Sequence, residues 1–245
     1  MAYDVQNGNN MPVQAPLIPD PFVPYDCPDN ATLSVFCRVD PALLKRYLAP
    51  TPFEPRGDIV VVYASDFTNC RKAQFMDAGI IVPMTFQGQP GATYLFEYED
   101  NDAAIAAGRD LWGYPKKYAE ISLKTEGDTA TASVVRRGTE ILRIEADLSQ
   151  PHEFQTVRTA PHFHLHVQPG PDGKVLSRRV IKRDTSPDFQ LKSSRTGTAR
   201  VVLASLPADP LAEFMPQHIL GAVLTRGDFY ATEENGWGKT VLTME

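Results

Sequence analysis

The chain has 245 residues, a net charge of −6, and 42% hydrophobic and 22% charged residues. That length can bury a substantial core, and an acidic balance without blocks of like charge argues against a nucleic-acid partner. No apolar run approaches the roughly 18–20 residues of a membrane-spanning helix. The first residues show neither the basic nor the apolar region of a signal peptide, so a cytoplasmic, non-membrane protein is expected. Cys27, Cys37 and Cys70 form an odd set without CxxC spacing. They read as buried thiols of a reducing compartment rather than a disulfide framework.

Residues 1–25 carry prolines at 12, 16, 19, 21 and 24 and read as an extended N-terminal arm, suited to packing on a neighbour. A single domain is expected over residues 26–245. A strand is expected around residues 33–37. Asp40-Pro41 then looks like a helix cap followed by proline at the first helical position, and that helix stops before Pro50. Residues 59–64, 80–86 and 93–99 are rich in valine, isoleucine and aromatics and read as strands. Residues 101–109 form an alanine-rich helix capped by Asp100 or Asn101. Further strands are expected at 118–124, 129–136, 140–148, 162–167, 178–182 and 199–204, while Arg226-Gly227-Asp228 reads as a turn. The spacing predicts an α+β domain of curved, largely antiparallel sheets, in a barrel-like or double-sheet core with few helices.

The chemically richest stretch is Gly108-Arg109-Asp110-Leu111-Trp112-Gly113-Tyr114-Pro115-Lys116-Lys117-Tyr118. Pro115 fixes its own φ and biases Tyr114 toward extended geometry, so Lys116 enters the next strand from a stiff backbone. A lysine amine is a nucleophile only when neutral, and its reference pKa is near 10.4. Strand alternation puts Lys116 and Lys117 on opposite faces. If Lys116 points into an apolar cavity, desolvation lowers its pKa and Lys117 plays the lesser part. Reaching a pKa of 6–7 takes roughly 5 kcal/mol of selective disfavour for the ammonium. The alternative is a solvated, lysine-bearing strand edge.

Other constellations are weighed beside it. His162, His164 and His166 share one strand face, where two could hold a zinc or iron ion with a carboxylate, or all three could form a polar stripe. Asp110 beside Arg109 reads as an acid or an ion-pair partner, with pairing favoured. Glu97 and Glu99 alternate with Phe96 and Tyr98 and share a face, where one could line the cavity, with a solvated face favoured. Trp112 and Tyr114 either wall a pocket or join the core. There is no Gly-x-Ser-x-Gly elbow and no phosphate-cradling glycine loop.

The lysine segment resembles the acetoacetate decarboxylase family, whose members carry Gly-Arg-Glu-x-x-x-[Tyr/Phe]-Pro-Lys-Lys. The likeness extends upstream to Gly79-Ile80-Ile81-Val82-Pro83-Met84-Thr85-Phe86-Gln87-Gly88 and to Tyr98 through Ala106. Downstream it takes in His162 through Val167, Pro169, Asp172, Gly173 and His218-Ile219-Leu220. The resemblance implies that Lys116 forms an imine with a small keto acid and that Lys117 is its charged neighbour. It implies further that no metal or organic cofactor is needed and that the protein is a homo-oligomer.

Three departures from the family's pattern stand out. The matched proton-relay glutamate is Asp77 here, one methylene shorter. The arginine expected near the substrate carboxylate falls at Asn30, with Arg71 or Arg38 as substitutes, and a second family glutamate falls near Val60. Tyr114 and Trp112 are expected to touch substrate. The losses bear on decarboxylation more than on imine formation. Relatives that keep the lysine act instead as pyruvate aldolase-dehydratases or hydratases. More distant readings are a metal enzyme built on the histidine stripe and a non-catalytic barrel that binds a small acid.

Overall fold

The computed structural model describes residues 10–244. It contains sixteen strands: β1 Tyr25–Arg38, β2 Glu54–Pro55, β3 Ile59–Phe67, β4 Phe75–Phe86, β5 Gln89–Glu99, β6 Lys116–Tyr118, β7 Glu120–Glu126, β8 Thr129–Arg136, β9 Thr139–Asp147, β10 His162–Pro169, β11 Val175–Arg183, β12 Gln190–Leu203, β13 Ser205–Leu206, β14 Asp209–Pro210, β15 His218–Ala231 and β16 Lys239–Met244. The α-helices are α1 Pro41–Leu48 and α2 Asp102–Ala107. Fourteen strands form one large sheet along the path β16-β11-β10-β5-β4-β3-β1-β15-β12-β9-β8-β7, with β2 and β6 paired at its side. Nearly all its ladders are antiparallel; β10 and β6 run parallel to β5. The sheet coils until β7 packs over β3, β4 and β5, but no ladder among the described residues closes it into a barrel.

Alternation along the central strands explains how one sheet serves both core and site. Leu33, Val35 and Cys37 on β1, Val60, Val62 and Ala64 on β3, and Phe96 and Tyr98 on β5 point to one side. There they meet Ala132, Val134, Leu142 and Ile144 of β8 and β9 and Leu44 and Leu48 of α1. Each fully buried leucine or isoleucine contributes about 1.5–3 kcal/mol. The intervening residues face the other side, where Phe36, Val61, Tyr63 and Ile81 meet Phe154 and Val157 and Phe75 joins Ile18, Phe22 and Val23 of the N-terminal arm. That second cover makes β3 and β4 almost continuously buried, a pattern usual for sheets covered on both faces.

The two helices start as their sequences dictate. Asp40 accepts from the Ala42 N–H at 2.8 Å, with Pro41 in the first turn. Asn101, rather than Asp100, caps α2 by accepting from Ala104 N–H at 3.1 Å. The helix does not run on to residue 109 as a regular α-helix but passes into a π-helical turn, Gly108–Trp112.

Several expectations are corrected. Arg226-Gly227-Asp228 is not a turn but part of β15, which pairs with both β1 and β12. Gly227 gave the turn impression, yet its role is close approach: a Cβ there would stand 2.5 Å from the Gln190 carbonyl oxygen. Cys27 and Cys70 form a disulfide, with Cα atoms 4.0 Å apart, because the β1–β3 pairing and an Arg71 N–H to Asp26 carbonyl bond bring their segments together. Cys37 alone is a free thiol among the described residues, and burial pushes its pKa up to about 12. The arm's described part packs on its own chain, where Ile18, Phe22 and Val23 are buried against Trp112, Tyr114 and Ile181.

Candidate active site

Lys116 lies at the start of β6, whose pairing with β5 sets Lys116 opposite Glu97. The β4–β5 register sets Asp77 opposite Glu99. Lys116, Glu97, Glu99 and Asp77 therefore converge on one face from three adjacent strands, and all four are buried. Lys116 Nζ donates to Glu99 Oε1 and lies 3.4 Å from Glu97 Oε1. Asp77 Oδ1 accepts from the Tyr63 hydroxyl at 2.7 Å. The three carboxylates bring oxygens within 4.8 Å of one another, spacing that suits a metal. Here the cation among them is the ammonium of Lys116.

The electrostatics reverse the expected sign for Lys116. Burial alone works to lower its pKa, but Glu97, Glu99 and Asp77 together outweigh burial and hold Lys116 above the usual lysine value. Burial pushes Glu99 up to about 8, against the opposing pull of Lys116. It likewise raises Glu97 well above the ordinary carboxyl range and raises Asp77. The four groups hold protons as a unit. The charge state of Lys116 is therefore set by the carboxylates around it and not by desolvation of an isolated ammonium. Glu97 Oε2 and Glu99 Oε2 have no hydrogen-bond partner among the described residues, so acceptor capacity remains for a ligand.

Lys117 points away, as strand alternation requires. Its Nζ donates to the Ala208 carbonyl at 2.5 Å and to Asp209 Oδ1 at 2.9 Å. Asp209 also accepts from Tyr98 and Arg136. Lys117 thus ties β6 to the β13–β14 ribbon, and the groups that set the charge state of Lys116 are carboxylates rather than a second lysine.

The π-helical turn explains the rest of the signature. Arg109 Nη1 donates to the Lys116 carbonyl at 3.1 Å, fixing the backbone that carries the amine. Gly108 packs against the lysine stem: a Cβ there would sit 2.3 Å from both Cδ and Cε of Lys116. Gly108→Ala is accordingly expected to displace Lys116 and slow any covalent chemistry at its amine by about 10²-fold, measured as the rate of borohydride-trapped adduct formation, with secondary structure by circular dichroism unchanged. Asp110 is exposed and makes no ion pair with Arg109 among the described residues. Its contribution is its carbonyl, which accepts from His166 Nε2 at 3.0 Å.

A cavity of about 80 Å³ opens on this cluster, walled by Phe22, Phe75, Tyr94, Trp112, Tyr114 and Arg183 among others. Tyr114 and Trp112 are therefore wall residues. The cavity continues, past Asp77, His162 and Arg183, into a larger one that Asn30 lines. Asn30 spends its amide on the Asp66 carbonyl at 2.8 Å. Arg71 lines neither cavity: its side chain is 75% exposed and lies 3.3 Å from Asp26. Arg38 pairs with Asp58, and Val60 is in the core.

Arg183, at the end of β11, is the arginine the sequence reading missed. It is buried, its guanidinium carbon lies 4.0 Å from the centre of the Trp112 ring, and it donates to the Gly236 carbonyl at 2.7 Å and the Tyr25 hydroxyl at 2.8 Å. It also hydrogen-bonds Tyr114, and these three bonds do not exhaust its five N–H donors. Glu97 and Glu99 were also misjudged as a solvated face, because alternation fixes which residues share a face but not what covers it.

Among the described residues the histidine stripe gathers no set of three ligand atoms that could hold a metal ion. His162 Nδ1 lies 3.0 Å from the Tyr114 hydroxyl, His164 Nδ1 faces Thr93, and His166 bonds the Asp110 carbonyl. Burial, with Arg183 adding to it, lowers His162 to about 4. Burial also lowers His164 well below the usual range, so both rings are neutral near pH 7.

Fold and site together define a protein with a buried, carboxylate-ringed lysine opening on a small acid-sized chamber, carried on one coiled antiparallel sheet. Residues 10–240 match the family model for acetoacetate decarboxylase. The chain is 31% identical over 223 residues to acetoacetate decarboxylase from Ralstonia nicotianae, covering 86% of this chain and 87% of that protein. A Burkholderia cenocepacia acetoacetate decarboxylase shows the same identity and coverage. Among solved structures, one from structural studies of acetoacetate decarboxylase superposes with a TM-score of 0.86 at 21% identity over 99% of both chains. The enduracididine biosynthesis enzyme MppR, in complex with pyruvate, superposes with a TM-score of 0.70 at 18% identity, over 89% of this chain and 90% of that one. The chain is an enzyme of the acetoacetate decarboxylase family, a family named for a carbon–carbon lyase.

Proposed function

We propose that the protein decarboxylates a small β-keto acid of the acetoacetate type through an imine on Lys116. The observation that carries this reading is the ring of Asp77, Glu97 and Glu99 around a buried Lys116 in a chamber with Arg183 on its wall. By a general rule of about 10–15 Å³ per water-sized group, 80 Å³ accommodates roughly five to eight such groups, the size of a four-carbon keto acid. The family name of its relatives points the same way.

The steps follow from the side chains present. Lys116 passes its proton to Glu99 and its neutral Nζ attacks the ketone carbon. Glu99 returns the proton to the former carbonyl oxygen, which leaves as water, and a protonated imine remains. The C–CO₂⁻ bond breaks, its electron pair moves into the enamine, and carbon dioxide departs. A carboxyl of the cluster protonates the enamine carbon, Asp77 being the candidate through its bond to Tyr63. Water then hydrolyses the imine and restores the lysine. Arg183 takes the part of carboxylate anchor that Asn30 and Arg71 do not fill.

Borohydride reduction in the presence of acetoacetate, read by intact mass, tests the imine, and carbon dioxide release tests the outcome. An adduct on the wild type that Lys116→Met lacks sustains the first step; a folded wild type that gives none with either acetoacetate or pyruvate sinks it. Arg183→Lys is expected to raise KM for acetoacetate about 10–100-fold, the worth of one or two charged hydrogen bonds, while changing kcat less. The likeness to a structure holding pyruvate favours one second reading, aldol condensation on 2-oxo acids. Condensation of pyruvate with an aldehyde, without carbon dioxide release from acetoacetate, distinguishes it.

A further inference from the structure

The chamber around Lys116 does not end at Arg183. Beyond Asp77, Tyr94, His162 and Arg183 it opens into an outer cavity of about 310 Å³, nearly four times the 80 Å³ of the inner one. Strand register determines what lines it. Thr32 pairs with Ser65 on one side and Thr225 on the other, and Ser34 pairs with Tyr63. These side chains therefore share one face of the sheet, and all of them line the cavity. They are held in place: Thr32 and Ser65 hydroxyls bond each other at 2.8 Å, and the Tyr63 hydroxyl is committed to Asp77.

Each serine or threonine hydroxyl offers one donor and two acceptor sites; Thr32 also donates to Asn30 Oδ1 at 3.4 Å and Thr225 to the Thr32 carbonyl at 3.4 Å, so what the hydroxyls chiefly keep for a ligand is acceptor capacity. Phe36, Val61, Phe67, Ile81, Phe189 and Phe229 also line the cavity and give a carbon stem apolar contact, but an alkyl group set against the hydroxyls would displace water without replacing its hydrogen bonds, which loses affinity. A tail bearing its own hydrogen-bonding group would replace them. Charge restricts the choice further. Asp77 and Asp184 line the cavity, and Arg183, at the junction, is the group a keto acid's own carboxylate would engage. A second anionic group is disfavoured there, and a neutral polar one is not.

We propose that the outer cavity is a subsite for a neutral, hydrogen-bonding extension of the keto acid, so that the preferred substrate is a β-keto acid larger and more polar than acetoacetate. This rests on the imine reading above. The test compares acetoacetate with an isosteric pair, 5-hydroxy-3-oxohexanoate and 5-methyl-3-oxohexanoate, by half-saturation of the borohydride-trapped adduct and by kcat/KM for carbon dioxide release. The hydroxylated acid is expected to half-saturate at a concentration about ten-fold lower than its methyl isostere. In the double variant Thr32→Val/Ser34→Ala that preference disappears while trapping by acetoacetate is unchanged. Equal or better trapping of the methyl isostere overturns the subsite while leaving the imine intact, as does a preference for the hydroxylated acid that survives in the double variant. Absence of an adduct with all three acids overturns the imine reading itself, and the subsite with it.

Discussion

Lys116→Met is expected to abolish the trapped adduct and also to make folding stability fall steeply with pH. The first effect follows from removal of the only lysine amine among the described residues that line the chamber. The second follows from what stays behind. In the wild type, Lys116 is the group that pulls the pKa values of Asp77, Glu97 and Glu99 down against burial. Without it, burial and mutual repulsion push all three higher still. A carboxyl whose folded-state pKa lies above its unfolded value stabilises the fold fully below the unfolded value, near 4. That contribution is lost as pH rises through the folded value. The variant should therefore approach wild-type stability near pH 4–5 and lose about 3–5 kcal/mol relative to it at pH 8, the usual cost of stripping the partner from a buried charge. For a chain of this size that is a gap of roughly 6–20 °C in melting temperature. Thermal melts at the two pH values measure it, and a gap that does not widen from pH 5 to pH 8 would show that the carboxylates do not depend on Lys116.

Much of this site was legible in the sequence, and the remainder was hidden for identifiable physical reasons. Pro115 and the strand alternation after it place Lys116 and Lys117 on opposite sides, and the structure has them end at Glu99 and Asp209. Asp77, singled out by the family resemblance as the counterpart of a glutamate before the Gly79–Pro83 strand, lies in the same chamber. The sign of the electrostatics was not legible, because it depends on Glu97 and Glu99. Their alternation with Phe96 and Tyr98 looks the same whether the second face of the sheet is wet or covered by the arm and β11. Arg183 escaped notice for a similar reason. It ends a strand that also carries Arg178, Arg179 and Lys182, and only the coil of the sheet singles it out by stacking it on Trp112. The disulfide is a third such case: spacing of 43 residues carries no signal, and the contact depends on where β1 and β3 begin and end.

Glu99→Gln is expected to lower kcat by about 10²–10⁴-fold, the range for loss of a positioned proton acceptor, while leaving the trapped adduct attached to Lys116. Two effects of the substitution oppose each other. Removing an anion lowers the pKa of Lys116, which favours the neutral amine. Removing the carboxylate that Nζ touches takes away the route by which the amine becomes neutral. The first effect is blunted because Glu97 remains 3.4 Å from Nζ and Asp77 also remains, so two buried carboxylates still hold the ammonium. The second is compensated only in part, since a glutamine amide cannot take up the proton and Glu97, at 3.4 Å, stands farther from Nζ than the lost carboxylate. Glu99 suits the exchange because burial has lifted its carboxyl to about 8, narrowing the gap to the amine it serves. Rapid-quench borohydride trapping separates the two effects: slower adduct formation reaching the same final extent identifies Glu99 as the acceptor. Faster formation in Glu99→Gln than in the wild type would instead assign Glu99 the role of a brake that keeps Lys116 charged until substrate arrives.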